Sequence, residues 1–249
     1  MCGRFTLLAD TAKIEEQFGT IVPIAVPQLF NIAPTQPILI IKHPEAARPE
    51  NSNLPPHDTS LMRWGFIPAF AKEPDKWPLT FNIRAETVHI KKSFRNALNH
   101  RRIIIPASGF FEWKKNKTKQ NEPYYITSAN SSLIGFAGLA ETWSGADGTE
   151  IDTAGIITTA ANDDIKIIHQ RMPLIISKEN YQTWLDVRNY RGEDVLRMLS
   201  PLGTEKFLVR KISTKVNDVN YRSEDLLDEI QELETTSKSQ SHPDQLSLF

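Results

Sequence analysis

Residues Arg101–Lys115 read RRIIIPASGFFEWKK. Ile103–Ile105 is a β-branched run, and branching at Cβ favours a strand packed against neighbours. Gly109 marks a turn, and the aromatic residues Phe110–Trp113 resume as a second strand. The same grammar recurs on either side. Pro37–His43 (PILIIKH) reads as a buried strand, and Ser60–Pro68 (SLMRWGFIP) as a strand that turns at Gly65 and Pro68. Further strands are expected over Pro123–Ala129, Leu133–Ser144, Asp152–Ala160 and Lys206–Thr214, with Ser144–Thr149 (SGADGT) as a hairpin.

Helices are fewer. Thr11–Phe18 reads as a short helix with Asp10 or Thr11 as its cap and Gly19 as its stop. Ala85–His100 carries helical spacing from Val88 through Phe94 to Leu98, and Asn162–His169 looks helical. Ser177–Asp186 opens with something close to a capping box, and Glu193–Ser200 is a further short helix. His43–His57, rich in Pro, Asn and Glu, reads as a surface loop. The expected fold is α+β: one mixed, β-rich domain of short strands with flanking helices over residues 1–222, followed by a tail over 223–249.

The 249 residues carry 29 Lys and Arg against 30 Asp and Glu. The tail holds seven acids and one base, so residues 1–222 are net basic. Ten of the bases fall between Arg84 and Lys119, opposed there only by Glu86 and Glu112. Such a stretch suits either a polyanionic partner or an ordinary solvated surface. No apolar run approaches the roughly 20 residues that span a bilayer, and the start lacks a signal-peptide layout. A single cysteine cannot form an internal disulfide, and no Cys/His cluster has zinc spacing. A cytoplasmic protein with no metal or cofactor is therefore expected.

That cysteine is Cys2, in MCGRFT. It could be merely a small residue that permits methionine removal. It also has a chemical reading. Without Met1 it would offer an α-amine of pKa about 7.7–8.0 and a thiol of about 8.5 on one residue. The amine condenses with an aldehyde, and the neighbouring thiol can then close a five-membered thiazolidine. Ring closure gains the high effective concentration of an intramolecular step.

Together with NIAPTQ (Asn31–Gln36), RWGFIP (Arg63–Pro68), FNIRAET (Phe81–Thr87), RRIIIPASGFFEWK (Arg101–Lys114), TTAAND (Thr158–Asp163) and HQRMP (His169–Pro173), the MCGRFT start resembles the motif set of the SOS-response-associated peptidase family of abasic-site processing proteins. The resemblance implies a self-modifying enzyme of the DNA damage response. Cys2 would bond covalently to the opened deoxyribose of an abasic site in single-stranded DNA and shield the lesion. Asn82 would position the amine and sugar, and Glu112 and His169 would move protons. Arg4, Pro34, Trp64, Arg84 and Thr158 would contact DNA, with Trp64 and Pro34 as an apolar shelf for bases. The family name implies a peptidase, and the imine stage allows lyase chemistry as a side activity. Cys2 becomes competent only once Met1 is lost, autocatalytically or to methionine aminopeptidase.

The residues alone leave alternatives open. Glu112 could simply pair with a base, His169 could be a satisfied core histidine on an apolar helix face, and Trp64 could be core packing. A Met-Cys-Gly start also fits an N-terminal-nucleophile amidohydrolase, although the chain has no Asn-Gly dipeptide for its oxyanion element. A non-covalent single-stranded DNA-binding module is a third reading. In the tail, Leu226, Ile230 and Leu233 suit one last helix, after which TTSKSQSHPD lacks apolar residues and is expected to be disordered. The closing QLSLF (Gln245, Leu246, Leu248, Phe249) resembles the peptide by which bacterial DNA-metabolism proteins dock on the replicative sliding clamp.

Overall fold

Ile103, Ile104 and Ile105 are each 1% exposed or less, because their strand has protein on both faces. The structure, a computed structural model, describes residues 2–46, 48–49, 51–116, 121–200 and 205–230. In chain order the elements are β1 (Arg4–Leu7), α1 (Thr11–Phe18), β2 (Leu29–Ile32), β3 (Pro37–Lys42), β4 (Asp58–Trp64), β5 (Asn82–Arg84), α2 (Ala85–Val88), α3 (Lys92–His100), β6 (Arg102–Ala107), β7 (Gly109–Lys114), β8 (Glu122–Ser128), β9 (Ile134–Ser144), β10 (Glu150–Ala160), α4 (Asp163–Lys166), β11 (Arg171–Pro173), β12 (Ile175–Ile176), α5 (Tyr181–Leu185) and β13 (Phe207–Lys211). Among the described residues no helix is long and apolar enough to cross a membrane.

The fold is α+β and strand-rich. Strands β10, β4, β3, β6 and β9 pair in that order, and β9 pairs back onto β10, so the sheet closes into a barrel. Closure leaves these strands no open edge. The outer faces of β6 and β9 are covered by α3 and α5, which is why the Ile103–Ile105 run is continuous rather than alternating.

A second, five-stranded sheet runs β13-β8-β7-β1-β2. Its β7 alternates: Phe110 faces the main core, while Phe111 faces a smaller cluster with Tyr125, Ile212, Val216 and Leu226. Phe5 of β1 locks the two sheets together, with ring centroids 5.2 Å from Trp64 and 5.8 Å from Phe136, both edge-on. At Gly109, the first residue of β7, a Cβ would lie 2.7 Å from the Ile126 carbonyl oxygen. Only glycine allows so close a crossing from barrel to sheet.

Strand β10 organises the site. Its first half lies between β4 and β9. Its second half lies between β5, which is parallel to it (Ile156↔Asn82, Thr158↔Arg84), and β11, which is antiparallel (Thr158↔Pro173, Ala160↔Arg171).

Several elements differ from expectation. Helix α1 has the expected ends: Asp10 accepts the Lys13 N–H, and Gly19 sits at φ 59°. The Ala85–His100 helix is instead two helices, interrupted at His89–Lys91, where Ile90 is 68% exposed and the Ile90 and Lys91 N–H groups both donate to the Thr87 carbonyl. Asn162–His169 forms only one turn, so His169 lies in the loop before β11 rather than on a helix face. Ser177 makes no side-chain cap, and Glu193–Ser200 yields only a 3₁₀ turn, Leu196–Leu199. Ordered structure runs past residue 222. Glu224–Leu227 is a 3₁₀ turn that buries Leu226, and Glu229 bridges to Ile212. The expected disordered segment and the QLSLF peptide lie outside the described residues, as do Met1, Lys117 and Lys119.

Candidate active site

Cys2, Asn82, Glu112 and His169 come from four separate segments, and the fold brings them together. Cys2 lies just ahead of β1 and is fully buried, its Sγ 3.7 Å from the Arg4 carbonyl oxygen that accepts from it. Burial, reinforced by the negative charge of Glu112, pushes its thiol pKa well up, so sulfur rests as the thiol. The Cys2 carbonyl accepts a 2.8 Å hydrogen bond from Asn82 Nδ2. Asn82 opens β5 and is held by the β10 register. Its Oδ1 is buried without a hydrogen-bond partner among the described residues. An amide with one end on Cys2 and an acceptor held in reserve is suited to orient an incoming hydroxyl or ammonium.

Glu112 shares the inward face of β7 with Phe110 and is 1% exposed. Burial raises its carboxyl to about 7. Its Oε1 lies 3.9 Å from His169 Nδ1. That nitrogen lies 3.0 Å from the Arg171 backbone nitrogen and 3.1 Å from the Arg171 carbonyl oxygen, so it accepts from the first or donates to the second according to the tautomer. Burial lowers the His169 pKa. A carboxyl poised near neutrality beside a neutral imidazole is a proton-transfer pair.

The expected DNA contacts separate into two groups. Arg84 is exposed at the end of β5, on the same side as Asn82. Pro34 is half-buried, and the next residue, Thr35, adopts φ 77°, a left-handed conformation that is costly for a branched residue. Arg4, Thr158 and Trp64 have other employment. The Arg4 guanidinium donates to Asn31 Oδ1 at 2.8 Å, Val216 O at 2.6 Å and Asn217 O at 3.3 Å, which fastens the 214–217 turn to β1. Two-residue alternation fails for Cys2 and Arg4 because Cys2 precedes the strand. Thr158 is fully buried and receives Arg171 Nη2 on its carbonyl (2.5 Å) and hydroxyl (3.2 Å). Trp64 is also fully buried, its Nε1 donating to the Phe81 carbonyl at 3.0 Å. It is core packing and offers no face to a base.

Three features were missed in the sequence. Arg171 grips Glu86 through two hydrogen bonds, 2.5 and 3.0 Å, and so ties β11 to α2. Both residues stood inside quoted motifs, but nothing in their spacing paired them. Trp77 lines a cleft of about 230 Å³ with Thr35, Arg63 and Leu79, on the segment leading into Asn82. Phe70, 54% exposed, packs edge-on against Trp77 at 5.9 Å beneath the Lys92 ammonium. Of the basic stretch, Arg101 pairs with Glu141 and Arg102 is buried, leaving Arg84, Lys91, Lys92, Arg95, Lys114 and Lys115 exposed among the described residues.

The sequence model of the SOS response associated peptidase (SRAP) family matches residues 1–219. The abasic site processing protein YoqW of Bacillus subtilis (strain 168) is 36% identical over 233 residues, covering 92% of this chain and 99% of that protein. The abasic site processing protein HMCES of Gallus gallus is 29% identical over 182 residues, covering 64% of this chain and 53% of that protein. A crystal structure of a Bacteroides thetaiotaomicron protein superposes with a TM-score of 0.76 at 23% identity, covering 92% of this chain and all of that one, and shares the fold. The chain therefore belongs to the SOS response associated peptidase family.

Proposed function

We propose that the protein processes abasic sites in single-stranded DNA by covalent attachment through Cys2. The observation that carries this reading is the convergence of buried Cys2 and Glu112 with half-buried Asn82 and His169 in one place. Hydrolysis of the Met1–Cys2 peptide bond liberates the Cys2 amine. That amine and the C1′ aldehyde of the opened sugar lose one water to give an imine. The thiol then adds across the C=N bond, sulfur to carbon and proton to nitrogen, and closes a thiazolidine. Protonated Glu112 donates to the departing hydroxyl. As carboxylate it takes the thiol proton, with His169 as its exchange partner. At the imine stage, loss of the proton at C2′ would eject the 3′ phosphate, which is the lyase branch; ring closure removes that branch. The names of the relatives, abasic site processing proteins, support the substrate class.

The test is a single-stranded oligonucleotide bearing one abasic site, mixed with the protein and run on a denaturing gel. A heat-stable shifted band is expected. Ammonia released from glutamine with no band would favour the amidohydrolase, and a shift on native gels alone would favour a passive binder.

Arg84, exposed two residues from Asn82 on β5, would take a flanking phosphate. Arg84→Ala is expected to make the dependence of log binding constant on log salt shallower by about one unit. Asn82→Ala is expected to slow cross-linking with binding intact. The two tryptophans should separate cleanly. Trp64→Ala should cost roughly 3–5 kcal/mol of stability in urea unfolding, as for a buried aromatic. Trp77→Ala should leave stability near wild type and weaken single-stranded DNA binding by about 1–3 kcal/mol, the contribution of one stacked base. For the clamp, removing Gln245–Phe249 is expected to abolish binding to a replicative sliding clamp and spare cross-linking; clamp binding that survives the deletion would rule the peptide out.

A further inference from the structure

The barrel has a second concave end, remote from Cys2. Strand β3 finishes there at Lys42, β6 begins there at Arg102, and β9 reaches it at Glu141, whereas β10 carries Asn82 and β11 at its other end. The cavity is about 400 Å³ and is lined by Lys42, His43, His100, Arg101, Arg102 and Arg188 on its basic side, with Glu45 and Glu141 as its carboxylates. That volume lies within the range of small-ligand clefts.

Four cations against two carboxylates would be unremarkable on an open surface. Here two of the cations, Arg102 and Arg188, are set in place by backbone carbonyls. Arg102 is 1% exposed and donates to four carbonyl oxygens: Nε to Trp184 at 2.5 Å, Nη1 to Leu98 at 2.8 Å, and Nη2 to Asp186 and Tyr190 at 3.1 and 2.9 Å. Among the described residues it forms no salt bridge within 4 Å, and the carboxylates of Asp186 and Asp194 favour its charge from further off. Arg188 Nη2 is held by the Pro44 and Glu45 carbonyls at 3.2 and 2.7 Å. The two carboxylates do not balance this field equally. Glu141 is buried and taken by Arg101. Glu45, its side chain 84% exposed, holds Lys42 only as a surface pair, which contributes little. His100 accepts from Arg191 at 2.9 Å. Burial and the neighbouring arginines hold both His43 and His100 in the neutral form, as expected where the local potential is positive.

We propose that this barrel end is a phosphate-binding site, taking a phosphate ester between Lys42, Arg101 and Arg188 over the buried guanidinium of Arg102. The ester has two sources, a free nucleoside monophosphate or the phosphodiester of a DNA strand. The proposal does not rest on the reaction at Cys2.

The test uses the full chain. The ring resonances of His43 and His100 are followed by NMR during titration with inorganic phosphate and with deoxyadenosine monophosphate. Binding of an intact single-stranded oligonucleotide with no abasic site is measured in parallel by anisotropy across salt. Both are repeated for Lys42→Gln and Arg188→Gln, each checked against wild type by thermal melting. Both histidines are expected to shift with phosphate, and each variant to weaken phosphate binding about tenfold, the effect of one charge-assisted contact. Loss of oligonucleotide affinity and a shallower salt slope in the variants would assign the site to the strand. Loss confined to the monophosphate would assign it to a free nucleotide. Histidine resonances that do not move, or that move equally in wild type and variants, overturn the proposal.

Discussion

Cys2→Ala is expected to give no heat-stable adduct with an abasic oligonucleotide, yet still be trapped by borohydride. Alanine keeps the α-amine once Met1 is gone, so the imine forms. Without sulfur it cannot close the ring, and the imine hydrolyses on heating. Borohydride delivers hydride to the imine carbon and leaves a stable secondary amine. Wild type should behave in the opposite sense: a heat-stable band without reductant, and little gain from it, because the thiazolidine has no C=N to reduce. Intramolecular sulfur addition draws on effective molarities of roughly 10⁵–10⁸ M, so the difference on a denaturing gel should be close to all or none. A heat-stable, unreduced band from Cys2→Ala would remove the thiol from the chemistry and end the reading given above.

Glu112→Gln carries the second large effect. The carboxyl is raised to about 7 chiefly by burial, so near neutrality it is half protonated and can serve as donor and then acceptor. Glutamine keeps the shape and removes both functions. Cross-linking should slow by about 10²–10⁴-fold, the usual contribution of a positioned acid–base group, and the inflection of rate against pH near 7 should vanish. The same group links pH to stability. Its folded pKa lies above the ordinary carboxylate value of 4.5, so the fold prefers the protonated form. Its contribution is fully present below pH 4.5 and is lost as pH rises through about 7. A shift of that size corresponds to about 3 kcal/mol. Urea midpoints measured on either side of pH 7 should fall with pH more steeply in wild type than in Glu112→Gln; parallel curves would show that the carboxyl is not held in the way its burial requires.

Much of this was legible in the sequence because strands have a period of two. Once Phe110 faces the core, Glu112 must follow it inward, and a buried carboxylate on an aromatic strand demands an explanation. Asn82 and Arg84 share a strand and keep their relation. Cys2 and Arg4 do not, since pairing starts at Arg4, and the guanidinium turns away to hold the 214–217 turn. His169 was misplaced because Asn162–His169 has helical spacing, yet the structure allows only a single turn before β11. Trp64 and Trp77 look alike as letters. Which one is buried depends on β4 closing the barrel, a long-range pairing that no local window contains. The Arg171–Glu86 grip, across 85 residues, is of the same kind.

The placement of β10 has a cost in adaptability. One strand carries, on its two flanks, the segment that supplies Asn82 and Arg84 and the segment that supplies Arg171 beside His169. Under the proposed function, grip on the DNA backbone and handling of protons would not be separable modules. A change that shifts this strand by even a fraction of its repeat would detune both at once, so attempts to broaden the lesions accepted should start from the peripheral 66–81 segment and leave the shared spine untouched.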